Sequence, residues 1–154
     1  MSKKEIKPDS SNQEDVTSLD DLSVHADPEK LLVSVTGEIN SDRRLENRKV
    51  AAECFNILLI KFKEEPEKLE QIFTLIRIGL KDEEESIRII AIKSINMLIK
   101  RGQEIEAIAL INSVLIRSDV SVKEKEVIAP ALELLRDDYP ATYFGCIKTI
   151  DGKN

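Results

Sequence analysis

The sequence predicts an all-α fold, a short α-solenoid of about three helical hairpins plus a C-terminal closing helix. Three observations support it. Apolar residues return at the spacing of a helix face rather than in strict alternation. Turn-forming and aromatic residues are scarce, with five Gly, five Pro and 4% aromatics in 154 residues, which favours long helices over a sandwich of short strands. Landmarks also recur at a fixed distance: Pro28 and Pro66 lie 38 residues apart, and Asp42, Asp82 and Asp119 are separated by 40 and 37. A chain of this length can bury a core without disulfide or metal.

Residues 1–26 carry three basic and six acidic side chains and few apolar ones. Such a segment cannot offset its ordering entropy by burial, so it is expected to be a disordered polar tail. The segment around Val16, Leu19 and Leu22 could form a short partner-binding helix. The folded domain is expected over 27–154. It opens on Asp27-Pro28-Glu29-Lys30-Leu31, a capping carboxylate before a proline at the first helical position, and the same pattern returns in Glu65-Pro66-Glu67-Lys68-Leu69. Short helices are expected at about 28–38, 66–80 and 103–117, each followed by a longer one, with a closing helix at about 139–150. Gly102 is placed to end the second long helix.

Counting from each landmark Asp, position six is Arg48, Arg88 and Lys125, and position nine is Ala51, Ala91 and Ile128. Position thirteen is Phe55, Ile95 and Leu132, and position sixteen is Leu58, Leu98 and Leu135. At about 100° per residue these fall on one broad apolar face. Position nine is expected at the close contact between the two helices of a hairpin, and position ten, which includes Ala52, nearer its edge.

The segment from Leu80 to Ala91, with Asp82, Ile87, Arg88 and Ala91, resembles the HEAT repeat, in which an Asp precedes a Val-Arg-x-x-Ala helix. Asn47 and Glu124 depart from it by replacing the apolar residue at position five. The resemblance covers residues 27 to about 137. It implies stacked hairpins that complete one another's core, and a ladder linking neighbouring repeats through Asp42, Arg48, Asp82, Arg88, Asp119 and Lys125.

Little in the chain points to chemistry. His25, the sole histidine, lies in the polar tail without a fixed geometry for general-base work. Cys54 and Cys146 have no Cys or His at ligand spacing, so neither zinc nor a redox pair is expected, and Cys54 reads as a small core residue. Glu83, Glu84 and Glu85 read as the acidic first turn of a helix rather than as a metal site. No Gly-rich phosphate loop occurs, and no cofactor is expected.

The expected function is that of a non-enzymatic protein–protein interaction module, a scaffold or adaptor. It would hold a segment of another protein along the outward face of the second helices. Asn56 and Asn96 occupy the same outward position in successive hairpins, Ile89 offers an apolar anchor, and Lys93 and Lys100 would attract an acidic stretch. Two alternatives come from other classes. A HEAT-like lyase of the kind that attaches bilin pigments, or an enzyme subunit, requires a pigment-sized cleft with convergent polar groups. A nucleic-acid-binding adaptor requires a repeated basic ridge, whereas the outward residues here run from mixed to basic to acidic, in a chain of net charge −6. No run approaches the about 20 apolar residues needed to span a bilayer, and the N-terminal residues lack a signal-peptide stretch, so a cytoplasmic location is expected. A weak homo-oligomer through one end of the stack is compatible with so short an array.

Overall fold

A computed structural model describes residues 27–152. The expectations for the tail at 1–26, including His25 and the Val16, Leu19 and Leu22 motif, lie outside the described residues, as do 153 and 154. Among the described residues every regular element is a helix: α1 (Pro28–Glu38), α2 (Leu45–Glu53), α3 (Phe55–Lys61), α4 (Pro66–Leu80), α5 (Glu85–Lys100), α6 (Glu104–Leu115), α7 (Val122–Leu135) and α8 (Pro140–Gly152).

The starts of α1 and α4 follow from the sequence punctuation. Asp27 Oδ1 accepts the Lys30 backbone N–H at 2.8 Å, and Pro28 sits where a helix has no use for its own N–H. Pro66 opens α4 in the same way, although Glu65 makes no side-chain cap. Gly102 closes α5: its φ of +83° is open to glycine at little cost, and it lets the Gln103 N–H donate to Leu98 O at 2.8 Å.

Two expectations change. The first long helix is interrupted at Cys54, where the chain keeps helical angles but the Cys54 N–H donates to Ala51 O at 3.0 Å, a tightened turn that separates α2 from α3. The acidic run is also not all in a first turn. Glu85 begins α5, Glu84 is its cap residue, and Glu83 precedes the helix.

Helix α5 is the centre of the packing. It touches α2, α3, α4, α6 and α7, while α1, α4 and α6 touch in that order. Its buried residues Ile87, Ala91, Ile92, Ile95 and Leu98 therefore serve several neighbours, which explains a helix apolar around much of its girth. Phe55, Leu58, Ile72 and Ile76 complete the interior around it.

Helices α4 and α5 approach closely at Gly79. A Cβ built at Gly79 would lie 3.2 Å from Ala91 Cβ and 3.2 Å from the Phe55 ring. Ala91→Leu is therefore expected to lower stability by about 1–3 kcal/mol in urea titration, because the added atoms meet a backbone with no side chain to move aside. A loss within about 0.5 kcal/mol would show that the α4–α5 spacing yields. The expectation that position ten lies nearer an edge is corrected: Ala52 is 1% exposed, on a helix that touches both α1 and α5. What sets Ala91 apart is the glycine opposite it rather than greater burial.

Candidate functional site

Of the six charged residues expected in the ladder, Arg48, Asp82 and Arg88 enter two linkages, while Asp42 and Asp119 are exposed outliers. Arg48, on α2, reaches across to the residue before α5: its Nε donates to Asp82 Oδ2 at 3.0 Å and its Nη2 to Asp82 Oδ1 at 3.1 Å. Both side chains are buried, at 5% and 1% exposure. Hydrogen bonding to Asp82 raises the Arg48 pKa still further. Asp82 also accepts the Glu84 N–H at 2.9 Å, so it tethers α2 and begins α5 at once.

The second linkage uses a carboxylate that the expected ladder did not include. Arg88 Nε donates to Glu124 Oε2 at 2.8 Å, and Arg88 Nη1 to the carbonyl of Asp82 at 2.8 Å. Arg117, from the end of α6, donates to both Glu124 oxygens at 3.1 and 3.2 Å. Glu124 Oε1 further accepts the Ser121 N–H at 2.9 Å, while Ser121 Oγ accepts the Glu124 N–H at 3.0 Å, a capping box at the start of α7. Burial, at 0% side-chain exposure, pushes the Glu124 carboxyl up. The hydrogen bonds from Arg117, the Ser121 N–H and Arg88 outweigh it and hold the carboxyl at about 2.

The outliers follow from exposure. Asp119, expected in the ladder, is 76% exposed and accepts from Arg117 at 3.0 Å. Arg117 also lowers its pKa. Asp42 is 81% exposed, with Arg43 Nε at 4.0 Å as its ion-pair neighbour. It precedes α2, and no arginine lies before it among the described residues. Lys125 is half-buried on α7, beside Glu124 in sequence. Both linkages are structural: the buried carboxylates are saturated by arginine and backbone donors and have little capacity left for a ligand.

The remaining candidates lie on the second helices. Lys93 and Lys100 are exposed and Ile89 is half-buried on α5. Asn56 on α3 and Asn96 on α5 are half-buried rather than fully exposed, on two helices that touch. No protein donor reaches the buried Oδ1 of Asn56. Towards the N-terminal halves of these helices a shallow groove of about 460 Å³ crosses from α2 over α5 to α7, and Ile89 and Lys93 line it together with Lys49, Ile90, Lys123 and Val127. Lys100 and the two asparagines lie outside this groove, farther along the helices.

Neither cysteine is poised as a nucleophile. Both are buried; burial, aided by Glu53, pushes the Cys54 thiol up to about 12, and burial raises Cys146 as well. Among the described residues no three His, Cys, Asp or Glu side chains are grouped so as to hold a metal ion. No helix among them is long and apolar enough to cross a membrane. Comparison with known proteins adds no relative: no family model, no curated protein and no solved structure matches the chain, so its functional reading rests on its own geometry.

Proposed function

We propose that α1 with α2–α3, α4 with α5, and α6 with α7 form three HEAT-like hairpins stacked as a short solenoid, and that the face of their second helices binds an extended segment of another protein. The stacking is supported by the order of contacts, first helix to first helix and second to second, and by the Arg48–Asp82 and Arg88–Glu124 links between successive second helices.

The observation that carries the binding role is the pair of half-buried amides, Asn56 and Asn96, at the same offset on neighbouring helices. Beside them Ile89 is partly open and Lys93 and Lys100 are exposed. Amides repeated along a ridge suit an extended backbone, which presents donors and acceptors at regular spacing.

The test is site-directed photo-crosslinking in extract of the native cell. A crosslinker at position 93 or 96 is expected to capture a protein that one at Asn112, on the exposed side of α6, does not. With that partner in hand, Asn96→Asp combined with Lys93→Glu is expected to weaken binding at least about tenfold, or about 1.4 kcal/mol, at an unchanged thermal midpoint. Capture from position 112 alone, or of nucleic acid from position 93, defeats the reading.

A further inference from the structure

We infer that the groove spanning α2, α5 and α7 recognises an acidic protein segment with one apolar side chain at its centre. This deepens the proposed interaction face and rests on that reading. Lys49 from α2, Lys93 from α5 and Lys123 from α7 are all exposed, and together they rim one groove of about 460 Å³. Each comes from a different helix, so their convergence is a product of the packing and not of a basic run in the sequence. None of the three has an ion-pair partner among the described residues, whereas the arginines deeper in the fold are all engaged.

Between the lysines lie Ile89, Ile90 and Val127, half-buried, which offer a partly open apolar floor. Lysines around an apolar strip match carboxylates flanking a single aliphatic side chain: the apolar contact supplies affinity, and the charges supply register and encounter rate. The groove carries three ammonium groups against the two carboxylates of Glu53 and Glu85, a local excess of positive charge in a chain of net charge −6. The same composition disfavours a nucleic acid. Glu53 and Glu85 would repel phosphates, and no aromatic ring lines the groove for a base to stack on.

The experiment is to pan a random peptide display library on the full chain and measure the enriched peptides by fluorescence anisotropy. Enriched sequences are expected to place Asp or Glu on both sides of Leu, Ile or Val. Their affinity is expected to fall at least about tenfold with Lys93→Glu, and likewise with Lys49→Glu combined with Lys123→Glu, while Lys148→Glu on α8 changes it less than about twofold. Exposed lysine reversals should leave the thermal midpoint in place, and a melt of each variant checks this. Peptides that lose affinity with Ile89→Ser but ignore the lysine reversals overturn the acidic partner and keep the ridge as a binding face. Peptides indifferent to both sets of changes overturn the inference and the ridge together, as does a library that yields no enrichment. Lysine-dependent binding of polyuridylate, titrated in parallel, overturns the inference in favour of RNA.

Discussion

Asp82→Ala is expected to lower folding stability by about 3–5 kcal/mol, because it strands the Arg48 guanidinium in the interior. Arginine cannot escape by losing its proton, so the charge stays. With Asp82 present, Nε and Nη2 each have a carboxylate oxygen, at 3.0 and 3.1 Å, and Nη1 donates to the Arg43 carbonyl at 2.6 Å. Without it, only the Arg43 carbonyl remains. The same substitution removes the acceptor of the Glu84 N–H at the start of α5, typically worth about 1 kcal/mol. Urea unfolding of the single variant and of Arg48→Met combined with Asp82→Leu tests the origin of the loss. The double variant should recover a substantial part of it, since a buried pair exchanged for apolar groups of similar volume is often close to neutral. A single-variant loss below about 1 kcal/mol would mean that water reaches Arg48 and that the link is worth no more than a surface pair.

How much of this could be read beforehand differs from feature to feature. The starts of α1 and α4 were legible because Asp-Pro-Glu-Lys-Leu and Glu-Pro-Glu-Lys-Leu act locally: a proline at the first helical position needs nothing from the rest of the fold. Gly102 was legible for the same reason. The Arg48–Asp82 contact was only half legible, since the spacing of the repeat named both residues but could not say which Asp each Arg reaches. Position five was misread as a blemish in the pattern. Hydrophobic periodicity counts Glu124 as a solvated residue, yet it is fully buried because Arg88, 36 residues earlier, and Arg117 converge on it. Asn47, the other departure at position five, is buried too, with its Nδ2 donating to Glu38 Oε1 at 3.2 Å. The one local signal for Glu124 was Ser121-x-x-Glu124, the spacing of a capping box, which fixes the carboxylate's place at the helix start. Of the groove, Ile89 and Lys93 were legible as outward residues of one helix, whereas Lys49 and Lys123 had no local signal. Lys49, Lys93 and Lys123 meet only because α2 and α7 lie on either side of α5.

Glu124→Gln is expected to cost about 3 kcal/mol at neutral pH, and progressively less as the solution is acidified. The sign follows from the direction of the shift. Glu124 titrates at about 2 in the folded chain, below the 4.5 of an unperturbed glutamate. A folded-state pKa lowered in this way contributes stability that is complete above the unfolded value and is lost as pH falls from about 4.5 towards 2. A difference of about 2.5 units at about 1.36 kcal/mol each gives the expected magnitude. Glutamine resembles the protonated acid in size and charge, so the variant should behave at pH 7 much as the wild-type protein does in acid. One of its two terminal atoms is also a donor, turned towards the donors of Arg88 and Arg117. Urea midpoints for both proteins at pH 7 and at about pH 3 measure the effect, and the gap between them should narrow by about 2 kcal/mol. Parallel profiles with a constant gap would show that the Glu124 charge is not what the two arginines stabilise, and that the loss comes from altered packing at the start of α7.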